Sequence, residues 1–325
     1  MPAPELQVKN LKVAFSSNGE ELIAVRGISY HLNRGETLAL VGESGCGKTV
    51  SALSILRLIP QPPGKILSGE ILFDGDDLLK LPEKKLRERR GRDIAMIFQD
   101  PMTCLNPVLT VGEQIIETLL RHTAITRAEA RKKTSALLRR VDIADPEQKL
   151  AQYPHQLSGG MRQRVMIAMA LACSPRVLIA DEPTTALDVL IQAQILELLK
   201  QLKEETQMAI LLITHDLGVV ADIAQRVLVM YAGEIVESGP VRDLFRSPLH
   251  PYTVGLINSV PTLESGQKKV SRLNEIPGTV PSLSQIPTGC PFHPRCSSAE
   301  ARCRIEKPSL KETAPGHAVS CWLHP

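Results

Sequence analysis

The stretch Gly42–Thr49, GESGCGKT, is preceded by a short apolar run and followed by helical sequence. Glycines at this spacing let the backbone curl until its N–H groups converge on phosphate oxygens. Lys48 then reaches the outer phosphates, and the Thr49 hydroxyl can ligate Mg²⁺. Gly42, Ser44, Gly45, Cys46, Gly47 and Val50 complete this candidate phosphate seat, with Cys46 read as a small loop residue and not a nucleophile. A second chemical group closes the buried run VLIADEP, where Asp181 suits Mg²⁺ through water and Glu182 can polarise an attacking water as general base. A third, QLSGGMRQRV, sets Ser158, Gly159 and Gly160 ahead of an apolar helical run. A helix start with bare N–H groups is another seat for an anion.

Positioning these groups requires alternating elements. LQVKNLKVAF and GISYHLN alternate like half-exposed antiparallel strands, ETLALVG is a short buried strand, and GEILFDGDDLL gives another. The basic run Lys84–Arg92 reads as a solvated helix face. Residues from about 102 to 172 carry the helical period. The buried strands RVLIAD and MAILLIT follow, separated by the helical VLIQAQILELLKQLKEET, and RVLVMYAGEIVESG forms a final hairpin. The alternation predicts an α/β fold with a mainly parallel sheet covered by helices. Beyond about residue 246 the sequence turns proline-rich and irregular, which places a domain boundary between 245 and 246.

The chain has 325 residues, 43% hydrophobic and 22% charged, with a net charge of +3. Near-neutral charge and only 3% aromatic residues argue against a nucleic-acid partner. The longest apolar stretch, Val165–Cys173, is about half a bilayer span. The N-terminus lacks the charged and apolar regions of a secretory signal, so the cytoplasm is the expected compartment.

Taken in order, these motifs resemble those of the ATP-binding cassette (ABC) ATPases of transporters, over residues 1 to about 245. The resemblance adds Gln99 in IFQDP as the Q-loop glutamine, the signature LSGGM at Leu157–Met161, the D-loop ALD at Ala186–Asp188, and His215 in ITHD as the switch histidine. Phe15 falls where the family places an adenine-stacking aromatic, more often tyrosine, and Met161 replaces the usual glutamine of the signature. The resemblance implies an ABC-type P-loop ATPase: a RecA-like parallel core, an antiparallel β subdomain and a helical subdomain at about 102–172. It further implies ATP and Mg²⁺, with Thr49, Gln99 and Asp181 at the metal and Glu182, His215, Lys48 and Gln99 in catalysis. Two cassettes would pair head to tail, so that Ser158–Gly160 face the γ-phosphate held by the partner. Chains acting on ribosomes or DNA usually carry two cassettes or long coiled coils; a single cassette without membrane helices suits a separate subunit under permeases, although a non-transport ABC ATPase remains an alternative.

The tail resembles the C-terminal extension of dipeptide, oligopeptide and nickel importer ATPases, through SPLHPYTVGL, NEIPGTVPSL and GCPFHPRC, and DPMTCLNPVLTVGEQI matches the same group. That likeness implies a paralogous second ATPase subunit, or a second copy of this chain, together with two membrane permease subunits and a periplasmic or extracellular substrate-binding protein. The place of work would be the cytoplasmic face of the inner membrane. Peptides, nickel chelates, haem and glutathione all stay open as cargo. Cys290, Cys296, Cys303 and Cys321 crowd the same extension, 246–325. Clustered cysteines in a cytoplasmic protein suggest metal before disulfides, and Cys-x2-Cys zinc knuckles are missing. Four thiolates in an irregular loop can hold a [4Fe–4S] cluster, as the resemblance also implies. Zinc and free thiols are the alternatives, and His293 is a spare ligand.

Overall fold

The computed structural model describes residues 3–17, 19–100, 104–185, 187–259 and 275–324. Ala186 of the D-loop, residues 101–103 of the stretch beginning DPMTC, and Asn274 lie outside the described residues. The chain forms two compact units, each assembled from separate stretches. One comprises the segment up to Leu6, His31–Glu36 and Leu72–Ile213; the other comprises Gln7–Tyr30, Thr37–Ile71 and the chain from Thr214 onward. The strands are β1 (Leu6–Ser17), β2 (Glu20–Leu32), β3 (Thr37–Val41), β4 (Gly64–Phe73), β5 (Asp76–Asp77), β6 (Ile94–Ile97), β7 (Val177–Asp181), β8 (Ala209–Ile213), β9 (Arg226–Tyr231), β10 (Glu234–Pro240), β11 (Lys311–Ala314) and β12 (His317–Val319).

In the first unit, β6, β7 and β8 are buried along their whole length. They pair in parallel, Ile97 opposite Ala180 and Asp181 opposite Ile213. Burial on both faces is why these strands read as continuous apolar runs without alternation. The stretch expected to be helical contains α3 (Val111–His122), α4 (Arg127–Arg140), α5 (Pro146–Lys149) and α6 (Gly159–Leu171), following α1 (Lys48–Ile55) and α2 (Glu83–Arg89) elsewhere in the chain. Thr126 and Glu129 close a reciprocal capping box at the start of α4, which satisfies N–H groups the first turn cannot pair internally. Arg164 of α6, almost fully buried, donates to the Val141 carbonyl (2.7 Å) and to Gln194 (2.8 Å) on α7 (Val189–Thr206).

In the second unit β3 and β9 run parallel, with Val41 opposite Val229. The hairpin expected over RVLVMYAGEIVESG is β9–β10, turned by Ala232 and Gly233 at positive φ. It is not the last structure in the chain. β10 pairs antiparallel with β12, and β12 with β11, so the extension adds two strands to this sheet. Helices α8 (Leu217–Ile223), α9 (Val241–Arg246) and α10 (Pro251–Asn258) complete the unit. Its core contains a ring cluster in which Tyr231, Tyr252 and Phe292 sit at centroid separations of 4.7, 5.2 and 5.4 Å. Such tilted and edge contacts add to the area they bury.

Candidate functional site

The phosphate loop lies in the second unit, between β3 and α1. Gly42 has φ +153°, and a Cβ there would meet the Met230 carbonyl oxygen at 2.2 Å; at Gly47, φ +101°, a Cβ would meet the Ala24 oxygen at 2.6 Å. Both positions therefore exclude any side chain, and Gly47 starts the helix in the left-handed region. Gly42→Ala should cost about 2 kcal/mol of stability and remove nucleotide binding, measurable by thermal unfolding and by equilibrium titration with an ATP analogue.

Lys48 is buried, and its Nζ donates to the carbonyls of Gly42 (2.7 Å) and Glu43 (3.0 Å). The ammonium is thereby held against the inner edge of the loop. Cys46 is buried as well. Burial raises its thiol pKa, and the opposing pull of Lys48 does not reverse that, so Cys46 stays a neutral thiol at physiological pH. Ser44, Gly45 and Thr49 are exposed and Val50 is half-buried. Phe15 on β1 is half-buried, its ring edge 3.1 Å from where a Cβ on Gly64 would stand. His215 is exposed, and the next residue, Asp216, caps α8 through the N–H groups of Gly218 (2.8 Å) and Val219 (3.2 Å).

The carboxylate group lies in the first unit. Because Ile97 and Ala180 are in register, Gln99 and Glu182 both stand two residues beyond neighbouring strand positions. The structure joins them: Gln99 Nε2 donates to Glu182 Oε2 at 3.2 Å, and the Thr185 hydroxyl donates to the same oxygen at 2.8 Å. Asp181 is buried, at 2% exposure, while Glu182 is half-buried with φ +47°. A left-handed backbone costs a non-glycine residue about 1 kcal/mol. The Glu182 N–H bonded to the Ile213 carbonyl at 2.8 Å helps hold it there. Strain of this kind collects at working residues.

The signature turn belongs to the same unit. Ser158 caps α6, its hydroxyl accepting from the Met161 N–H at 3.3 Å. A Cβ at Gly159 would meet nothing within 4 Å, whereas one at Gly160 would stand 3.1 Å from Ile191. The bare turn faces outward, at the positive end of a 13-residue helix. Gln163, on the next turn, donates to the Pro183 carbonyl at 2.5 Å. That bond links the signature helix to the residue after Glu182. The sequence reading missed it, because a glutamine inside an apolar helix announces no partner.

Cys290, Cys296, Cys303 and Cys321 line one pocket together with His250, His293, Phe292 and Trp322, and none of the four is in a disulfide. Burial, reinforced by the other three thiols, pushes Cys290 up to about 11. Gly289 permits the close wrap: a Cβ there would lie 2.3 Å from the Cys303 oxygen. Among the described residues, no group of three or more His, Cys, Asp or Glu is arranged to hold a metal ion. The expectation of a [4Fe–4S] cluster or zinc thus gains convergence of the thiols but no formed ligand set.

Comparison with known proteins places this geometry in a family. Residues 25–185 match the ABC transporter family, and residues 236–303 match the C-terminal region of oligopeptide/dipeptide transporters. The chain is 56% identical over 317 residues to a probable peptide ABC transporter ATP-binding protein of Sinorhizobium fredii, covering 98% of this chain and 94% of the relative. It is 53% identical to the dipeptide transport ATP-binding protein DppD of Bacillus subtilis (98% and 94% covered) and 53% identical to that organism's oligopeptide transport protein OppD (98% and 89% covered). A dimeric ATP-binding cassette solved in a post-hydrolysis state with ADP and Pi superimposes with a TM-score of 0.66 at 30% identity, over 73% of this chain and 99% of that one. A subunit of an ABC transporter complex from Clostridium perfringens gives a TM-score of 0.63 at 30% identity, over 76% and 92%. The chain belongs to the ATP-binding proteins of ABC transporters. It is an ATPase whose hydrolysis is coupled to transport.

Proposed function

We propose that the chain powers import of dipeptides and oligopeptides, as one of two ATPase subunits docked under a pair of permease subunits at the cytoplasmic face of the membrane. The observation that carries the cargo class is the match of residues 236–303 to the oligopeptide/dipeptide transporter C-terminal region. A substrate-binding protein outside the membrane would deliver the peptide. Among the described residues, no helix is long and apolar enough to cross a membrane, in keeping with separate permease subunits.

In this reading residues 1–245 are the cassette and 246–325 its extension. Phe15 stacks on adenine. The loop Gly42–Val50 wraps the phosphates with its N–H groups, and Lys48 balances the charge that develops on the γ-phosphate. Thr49, Gln99 and Asp181 would hold Mg²⁺, which would supply positive charge to offset that of the phosphates. Glu182 takes the proton of the attacking water while His215 orients the γ-phosphate. Ser158, Gly159 and Gly160 close over the nucleotide of the partner cassette, a paralogue in a heterodimer, and loss of that phosphate lets the pair separate. The test is uptake of labelled dipeptides and longer peptides by a strain lacking the gene. Uptake should return with the wild-type chain and not with Lys48→Ala. Restored uptake of nickel, haem or glutathione, without peptides, would overturn the cargo assignment.

The four cysteines are read here as ligands of a [4Fe–4S] cluster, zinc being the alternative. Support comes from their shared pocket and free thiols. Such a cluster would staple an extension whose own core is small. Anaerobically purified protein should contain iron and sulfide and show broad visible sulfur-to-iron absorbance, both lost in Cys303→Ser. Colourless protein with stoichiometric zinc, or no metal, would refute the cluster.

A further inference from the structure

Glu43 is the second residue of the phosphate loop, and its carboxylate has the wrong sign for a neighbour of a triphosphate. The extension deals with that charge. Arg295 Nη1 donates to Glu43 Oε2 at 2.7 Å and Nη2 to Oε1 at 3.0 Å, a two-pronged pair spanning 252 positions of sequence. The arginine side chain is 4% exposed and the glutamate 31%. The guanidinium has little freedom: Nε donates to the Pro277 carbonyl (2.9 Å), and the group lies 5.8 Å from the Tyr231 ring centre and 6.0 Å from that of Phe292. A planar fork fixed in this way matches a carboxylate in both charge and shape.

The backbone of Glu43 is held from the same side. Its N–H donates to the hydroxyl of Tyr252, a fully buried residue of the extension, at 2.8 Å, while its carbonyl accepts from Lys48. The extension thus grips both the main chain and the side chain of one loop residue, next to Gly42, whose carbonyl Lys48 also uses.

We propose that Arg295 is a positioning residue of the nucleotide site: it neutralises Glu43 and ties that carboxylate to the extension, so that the C-terminal extension sets the ATP affinity of the phosphate loop. This rests on the reading of Gly42–Thr49 as the seat of ATP. Without the arginine, an uncompensated negative charge remains in the loop and repels the incoming phosphates. Arg295→Lys keeps the charge and loses the fork, which predicts an intermediate affinity.

The test is equilibrium binding of a fluorescent ATP analogue with Mg²⁺ to the full-length chain carrying Arg295→Met, Arg295→Lys, Glu43→Gln, the Arg295→Met/Glu43→Gln pair, or Lys48→Ala. Arg295→Met should bind about ten-fold more weakly, with a deficit that shrinks as salt is raised. The pair should bind as Glu43→Gln alone does, because no charge is left to neutralise. A purely structural arginine gives the opposite result, a pair as weak as or weaker than Arg295→Met, and that would overturn the proposal. Should Arg295→Met fail to fold, the neutral Arg295→Gln takes its place in the same comparison, with and without Glu43→Gln. Wild-type affinity in Lys48→Ala would instead sink the loop assignment itself.

Discussion

Glu182→Gln should cut ATP turnover about a thousand-fold while leaving ATP binding in place. The carboxamide keeps the shape of the side chain and can still meet Gln99 and the Thr185 hydroxyl, which lie at 3.2 and 2.8 Å from Oε2. What it loses is the charge and basicity that draw a proton from water. The backbone at φ +47° is retained too, since glutamine and glutamate share the same steric demand there. The consequence reaches beyond rate. If the nucleotide is the bridge between two cassettes, a variant that binds but does not cleave accumulates the closed pair. Size-exclusion chromatography with MgATP should show the variant, alone or with the proposed paralogous subunit, as a stable assembly that wild-type protein forms only transiently. Turnover near the wild-type rate would remove Glu182 from its role as base. Gln99→Ala is the companion change, and it should lower turnover less, because it frees the carboxylate to move without removing it.

Sequence alone revealed these groups because each depends on local chemistry. A loop that needs glycine at Gly42 and Gly47, a buried strand that ends in carboxylates, and a helix that opens on Ser-Gly-Gly announce themselves within ten residues. The long-range pairs do not. Arg295 reads as one more basic residue among prolines, and nothing near Glu43 tells that its partner lies 252 positions away. The strands β11 and β12 escaped for a different reason. They are four and three residues long, β11 is exposed throughout, and the three residues of β12 are too few to set an alternating pattern apart from chance. Strand β6, IAMI, is fully buried and too short to be told from a helical fragment by periodicity. The β9–β10 hairpin was legible, but the register shift between Ile235 and Glu237 and the burial of Glu237 were not.

That inward glutamate carries the second large effect. Glu237 is fully buried, and its two oxygens accept the backbone N–H groups of Leu249 and His250, both at 2.9 Å, while His317 Nε2 lies 2.8 Å from Oε1. The contacts join β10 to β12 and to the start of α10, so one carboxylate gathers the cassette end and the extension into a single piece of structure. Glu237→Ala strands two backbone donors and a histidine away from water, and should cost about 3–5 kcal/mol. Glu237→Gln keeps one acceptor and the volume, and should cost about 1–2 kcal/mol. The protein supplies its own probe, because its one tryptophan, Trp322, sits in the extension with Nε1 bonded to the Glu306 carbonyl at 3.0 Å. Urea unfolding followed by Trp322 fluorescence should show the midpoint falling in the order wild type, Glu237→Gln, Glu237→Ala. An unchanged midpoint in the alanine variant would mean that the extension is anchored by its ring cluster and thiol pocket alone. A lowered midpoint in both would establish that the bonds made by Glu237, on a strand flanked by β9 and β12, help decide whether the tail stays on the cassette.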